Sequence, residues 1–342
     1  MRVIQIGPGE DAGRWDAYTA PRTATVTDLS AWRRVVWDAY GLRSSFLAAS
    51  EGERFVGCLG LFEVRHPVFG HYLATAPFGN DGGFHFDDEG ARDALLAEAK
   101  ALADRLEVDY LLIRTRGLEL DGFEVDRHYR TAVIDLAGGA DAVWKNVLRA
   151  KTRNQIRRGG NEGFSVEAGR DQLAPFYEVF HEHMRDLGSP AHGMRFYEAI
   201  VKHLGDRAEF SVVRDGRRPV AGALLFWTNG TAMNLHTVAL RKYNRRCPNY
   251  LIYWKLIEAA CERGCTRFDM GRSELDSPNL AFKMNWGPEP LTLCYNYYLR
   301  KLKEIPYVDP RNPRYRIPIA IWRWLPLPVT KILGPRLITG LI

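Results

Sequence analysis

The residues best suited to chemistry cluster in the last third of the chain. A polar run, Asp269-Met-Gly-Arg-Ser273, follows directly on a short apolar stretch that reads as a buried strand. Polar groups at the C-terminal end of such a strand commonly face a ligand crevice; the plainer reading is a turn in which Asp269 caps its own backbone. Lys283 stands a little further on, in Phe282-Lys-Met-Asn-Trp-Gly287. Together, Asp269 and Lys283 read either as catalytic carboxylate and cation or as a structural ion pair. Upstream, 235–264 reads as strand, loop and helix. Its loop holds Arg241, Lys242, Tyr243, Arg245 and Arg246, and Asn249 and Tyr250 open the helix. Amide groups at a helix N-terminus bind anions, so this segment suits a phosphate-bearing donor; without one it is a solvated basic loop.

Two further constellations lie earlier. Between residues 142 and 161 there are six basic side chains and no acidic one, and Arg149, Arg153 and Arg157 recur every fourth residue. Like charges at that spacing repel on a helix. The face therefore fits an anionic partner, such as phosphates, a polyanion or acids of another domain, or is simply solvated. The loop Ala76-Pro-Phe-Gly-Asn-Asp-Gly-Gly-Phe84 has glycines that permit close backbone approach, and it offers Asp81 as an acid–base group or amine contact. No G-x-G-x-x-G, Walker A, H-E-x-x-H or G-x-S-x-G motif occurs. His181 and His183 are two apart on an expected helix, hence on different faces, and no metal site is expected. The five cysteines form no C-x-x-C and read as small core residues.

The elements that must carry these residues follow from periodicity. Strands are expected at 54–63 and 67–77, a helix at 91–106, and strands at 109–115 and 130–136. The order then repeats. After helices at 172–187 and 194–204 come strands at 208–214, 219–227 and 231–239, with Asn229-Gly230 as a strong hairpin signal. A loop leads into a helix with Pro248 near its first position and Gly264 just past its end. A strand at 266–270, a short helix at 279–286 and a strand at 291–299 close the pattern. The chain of 342 residues is long enough for two domains. The expected division is 1–140, a basic linker helix over 141–160, a second copy of the unit over 161–300, and a tail over 301–342.

The net charge of +6 belongs to that tail. Residues 300–342 hold nine basic side chains against Glu304 and Asp309, so they carry +7 and the rest of the chain −1. From 316 onward, aliphatic residues, Trp322 and Trp324 alternate with Arg323, Lys331 and Arg336. This composition suits lying in an anionic membrane interface and not spanning it; the alternative is packing on the protein itself. The N-terminus lacks the apolar core of a signal peptide, so the expected location is the cytoplasm, at the inner face of the cytoplasmic membrane if the tail binds lipid.

Phe268-Asp-Met-Gly-Arg-Ser273 followed by Phe282-Lys-Met-Asn-Trp-Gly287 resembles the FemAB-like branch of the GNAT superfamily, of the type associated with exosortase or exopolysaccharide loci. Lys151, Arg153, Asn154 and Ile156 resemble its Arg-rich linker helix; Trp32, Phe69-Gly70, Pro77-Phe78, Leu325-Pro-Leu-Pro and Leu333-Gly-Pro match weaker markers. The resemblance implies an α+β fold of tandem GNAT-like domains, mixed sheets flanked by helices. It implies transfer of an acyl or aminoacyl group to an amine on a cell-envelope or polysaccharide precursor. No cofactor is tightly bound; the donor is acyl-CoA or an aminoacyl-tRNA. In this reading Asp81 or Asp269 orients or deprotonates the amine, and Tyr243 or Tyr250 protonates the leaving group. Lys283 and Arg272 bind an anionic part of donor or acceptor. Ser273, Arg153, Arg157, Arg241, Arg245, Arg246 and Asn249 line the substrate. One departure matters: 241–250 has none of the glycines of the usual GNAT pyrophosphate loop. The competing reading is a noncatalytic GNAT-like assembly protein that binds membrane or RNA.

Overall fold

The computed structural model describes residues 1–7, 11–306 and 313–341; part of the expected tail, 307–312, lies outside the described residues. In chain order the elements are β1 (Arg2–Ile6), α1 (Ala12–Thr19), α2 (Ser30–Tyr40), β2 (Ser44–Glu51), β3 (Arg54–His66), β4 (Gly70–Ala74), β5 (Phe84–Phe86), α3 (Glu89–Arg105), β6 (Tyr110–Arg116) and β7 (Glu124–Asp135). There follow α4 (Gly139–Ala142), α5 (Ala150–Gly160), β8 (Ser165–Gly169), α6 (Leu173–Leu187), α7 (Met194–Leu204), β9 (Ala208–Asp215), β10 (Arg218–Thr228), β11 (Thr231–Ala239), α8 (Pro248–Glu262), β12 (Arg267–Asp269), β13 (Ser273–Glu274), α9 (Pro278–Met284), β14 (Glu289–Leu299), α10 (Pro313–Trp324) and α11 (Leu327–Ile338).

Two compact units emerge. The first holds the chain up to Arg130 and regains it from Leu291; the second holds Thr131–Pro290 and the helices α10 and α11. In the first, the strand order is β1-β2-β3-β4-β6-β14. Its core packs α3, through Leu95, Ala99 and Leu102, against Leu47, Leu59, Leu73 and Leu111 of the sheet. Asp88 caps α3 by accepting from the Ala91 amide at 2.8 Å, which sets the start of the helix. In the second unit the order is β12-β11-β10-β9-β8, with the end of β7 beside β12. The Asn229-Gly230 pair forms the β10–β11 hairpin as expected, both residues at positive φ (35° and 71°). That is the turn whose twist suits a two-residue connection.

The two units divide the chain at other points than the sequence expectation. The strand at 291–299 pairs antiparallel with β6, from Leu293↔Arg116 to Leu299↔Tyr110, and so completes the first sheet. The second sheet is completed by the end of β7, through Val133↔Asp269 and Asp135↔Arg267. The basic helix α5 also belongs to the second unit and is more than a linker. It buries Ile156 and crosses α8 so closely that a Cβ on Gly159 would stand 2.8 Å from the Cys247 carbonyl oxygen. Among the described residues, no helix is long and apolar enough to cross a membrane.

Candidate functional site

The site is built where two parallel strands of the second unit part. β11 and β12 pair only through Thr231↔Arg267, Ala232↔Phe268 and Met233↔Asp269. Beyond Met233, β11 stays with β10, and its register slips by one residue at Leu235: Leu224 faces His236 while Leu225 faces Asn234. This bulge bends β11 away. Polar residues begin at the point of divergence. The buried Asn234 spans the gap, its Nδ2 donating to Tyr253 Oη at 3.2 Å and to the Met270 carbonyl at 3.4 Å, and its Oδ1 accepting from Thr237 Oγ1 at 2.8 Å. Burial pushes the Tyr253 hydroxyl up to about 12, against the pull of its Thr237 and Asn234 hydrogen bonds.

The Asp269–Ser273 turn forms the other wall. Asp269 is fully buried and accepts from the Gly271 amide at 2.8 Å and from the Thr131 hydroxyl. Gly271 sits at φ 78°, a conformation a side chain would strain, and this reversal brings its amide back onto the carboxylate. Ser277 starts α9 by accepting from the Leu280 amide at 3.1 Å, with Pro278 at the first position. The short helix then carries Lys283 beneath the turn, where Nζ donates to the carbonyls of Gly271 at 2.8 Å and Arg272 at 3.1 Å. Lys283 is 4% exposed. Burial pulls its ammonium down to about 8; the Asp269 carboxylate works against that shift and Arg272 adds to it. Two of its three N–H donors are engaged, so one is left to meet a ligand.

Aromatic side chains close the floor. Trp286 is fully buried and stacks on Tyr250 at 5.9 Å and 19°, with Phe282 5.1 Å from Tyr250. Trp286 Nε1 and Asn249 Oδ1 are buried without hydrogen-bond partners. Such orphaned groups are uncommon in folded proteins, and they flank the start of α8.

The basic groups divide. Arg241 and Arg245 are exposed on the turn that precedes α8. Arg246, expected at a substrate, is instead occupied: it bonds Glu162 at 2.7 Å and Asp215 at 2.6 Å, and these acids raise its pKa. The loop amides are partly closed too, Tyr243 donating to the Leu240 carbonyl and Cys247 to that of Asn244. A loop without glycine has folded partly onto itself, with Arg241, Lys242, Asn244 and Arg245 exposed. Tyr243 is half-buried between Lys242 and Arg246.

Arg153 is likewise turned inward, donating to the carbonyls of Trp144 at 3.1 Å and Leu148 at 2.5 Å, where it closes the preceding helical turn. Arg157 remains exposed, its guanidinium lying 5.3 Å over the Trp144 ring. Arg272 is exposed, whereas Ser273 is buried and accepts from Asn279 Nδ2 at 3.1 Å. Asp81 lies in the first unit, 4% exposed, with both carboxylate oxygens held by Arg116. The acid–base role expected of Asp81 therefore competes with this ion pair. Sequence reading missed Asn234, Tyr253 and Thr131. The available signal was one amide side chain inside an otherwise strand-like run, Thr231-Ala-Met-Asn-Leu.

Residues 146–284, which contain Asn234, Tyr253, Asp269 and Lys283, match the model of the Acetyltransferase (GNAT) domain. The match covers about two fifths of the chain. Solved structures extend the likeness over most of its length. FemX is 15% identical at a TM-score of 0.67, over 88% of this chain and 98% of that one. The C-terminal domain of a putative lysylphosphatidylglycerol synthetase from Agrobacterium fabrum is 13% identical at 0.58, over 85% and 92%. A tandem GNAT protein from the clavulanic acid biosynthesis pathway is 15% identical at 0.55, over 87% and 98%. At these identities the shared property is the fold, an α+β tandem of GNAT-like units, as the sequence resemblance implied. No curated protein matches the chain. The parting of β11 and β12 lies within the matched segment.

Proposed function

We propose that the second unit transfers an acyl or aminoacyl group from acyl-CoA or an aminoacyl-tRNA to an amine on a cell-envelope or polysaccharide precursor. The observation that carries this reading is Lys283, a buried cation with a spare donor at the parting of two strands. The amine nitrogen attacks the carbonyl carbon of the thioester or ester, and negative charge gathers on the carbonyl oxygen. A preorganised cation in a water-poor site stabilises that charge. Asp269 is the positioning group, since it pins the 270–272 turn whose carbonyls hold Lys283. The attacking nitrogen loses a proton to solvent water as the C–S or C–O bond breaks, and Tyr250 or Tyr243 gives one to the leaving sulfur or oxygen and is reprotonated from solvent. Burial raises the Tyr250 pKa, which keeps the hydroxyl protonated until that step. Arg241, Arg245 and Arg157 meet the donor's phosphates. The named product of the lysylphosphatidylglycerol synthetase relative carries an aminoacyl group, which favours testing aminoacyl donors beside acyl-CoA.

The test incubates the full chain with acetyl-CoA, longer acyl-CoAs or charged tRNA and an amino-sugar acceptor, with products read by mass spectrometry. An amide product that disappears in Lys283→Met supports the proposal. A product formed equally by Lys283→Met, with the fold intact by circular dichroism, overturns it.

A further inference from the structure

The helices α10 and α11 pack on the second unit by an unusual choice of faces. Inward, α10 buries Trp322 and lays Ile319 so close to Gly188 that a Cβ there would stand 2.5 Å from it, while Arg323 donates to the Leu187 carbonyl at 3.1 Å. Inward, α11 presents small residues: Thr330 is buried, and Gly334 lets the helix approach the Ala191 backbone, where a Cβ would meet the carbonyl oxygen at 2.9 Å. The outward faces carry the large apolar side chains. Ile317, Ile321 and Trp324 recur at helical spacing on α10, and Ile332, Leu333 and Leu337 on α11; Trp324 is 89% exposed, Ile317 70% and Ile332 62%. A surface helix normally turns its apolar stripe to the core. Contiguous apolar side chains left outside mark an interaction site.

We propose that this face docks onto the anionic leaflet of a lipid bilayer, with both helices lying in the plane of the interface. Charge selects the partner. From residue 310 to the end of the sequence there are six basic side chains and no acidic one, and Lys331 and Arg336 are exposed on α11. Basic residues beside Trp and Ile suit the headgroup boundary, where the indole keeps its polar edge wet and its rings in the acyl chains. Length excludes spanning: each helix has 12 residues, about 18 Å against a hydrocarbon core of about 30 Å, and Pro318 and Pro335 interrupt them. The proposal uses none of the residues assigned to acyl transfer, so either can fail alone.

Flotation of the full chain with phosphatidylcholine vesicles, and with vesicles holding about a third phosphatidylglycerol, tests it. A triple variant, Ile321→Ser, Trp324→Ser and Ile332→Ser, changes only exposed side chains; circular dichroism and the melting temperature verify its fold. The expected result is binding to the anionic vesicles that weakens with salt. It falls about tenfold or more on neutral vesicles and in the triple variant. Equal flotation of variant and wild type, or no flotation of wild type, overturns it. So does a wild-type dimer that the triple variant converts to monomer without lipid binding, which would assign the face to a second copy of the chain.

Discussion

The two units share a topology and treat its opening in opposite ways. In the first, β4 and β6 run parallel through Tyr72↔Tyr110, Leu73↔Leu111 and Ala74↔Leu112 and then part, as β11 and β12 do in the second. There the chain that leaves β4 folds inward. Every residue from Tyr72 to Asp81 is buried, Arg114 donates to the Ala76 carbonyl at 3.0 Å, Tyr295 donates to that of Asn80 at 3.0 Å, and Arg116 neutralises Asp81. In the second unit the corresponding chain turns outward as an exposed basic loop, leaving Lys283, Trp286 and Asn249 with unused polar capacity. Both openings contain a buried cation that clamps loop carbonyls. Arg114 is covered by the Tyr295 ring at 5.0 Å, and its Nε and the Nδ2 of Asn80 are buried without partners, whereas Lys283 lies in the unit whose loop leaves Arg241, Lys242 and Arg245 exposed. One topology therefore yields a filled wedge and a chemically open one, and the connecting loop decides which.

The largest effect that can break this comparison lies in the filled wedge. Asp28 accepts from the Gly83 amide and the Thr23 hydroxyl and meets His85 Nε2 at 2.7 Å, pinning the loop's end. Asp28→Ala strands these partners in the interior and should cost about 3–5 kcal/mol by denaturant unfolding, while the folded fraction keeps its turnover. Loss of turnover in folded protein would show that the first unit takes part in the chemistry. The pair also has a sign. Burial opposes both charges, but His85 together with the Thr23 and Gly83 hydrogen bonds outweighs it and lowers Asp28, and Asp28 outweighs it and raises His85. The Asp28 contribution is lost as pH falls through its depressed value, and that of His85 as pH rises past its raised one. The stability gap between wild type and variant should therefore be widest in mildly acidic solution and shrink at either extreme.

A somewhat smaller effect sharpens the open side. Lys283 titrates near 8 in the fold and near its ordinary 10.5 unfolded. Between those values the unfolded chain binds more protons, so stability rises with pH. Wild type should gain up to about 3 kcal/mol on Lys283→Met across that window in urea titrations at successive pH values. A flat difference would mean that Lys283 is solvated and the wedge is not dry.

Much of the fold was legible because its signals are local. The Asn229-Gly230 hairpin, Pro248 and Gly264 around α8, and the apolar face of α3 are each set by residues within a few positions of one another. The Asp269–Ser273 turn and Lys283 were legible for the same reason, being ten residues apart and tied by one short helix. What stayed hidden depends on distant partners. Arg246 is claimed by Asp215 and Glu162, Arg153 by two carbonyls of an unforeseen turn, and Asp81 by Arg116. Strand completion was hidden too: nothing local in 291–299 says that it will pair with β6. Asn234 reads as a misplaced amide in a strand until β12 is known to diverge beside it.

The central claim is that transfer takes place in the wedge holding Lys283 and not in its filled counterpart. The direct measurement is the turnover of full-length Lys283→Met and Asp81→Asn beside wild type, with donor and acceptor saturating and folding verified. The account predicts a loss of about 10²–10³-fold for Lys283→Met and a rate within about threefold of wild type for Asp81→Asn. Wild-type turnover in Lys283→Met together with a collapse in Asp81→Asn would contradict it.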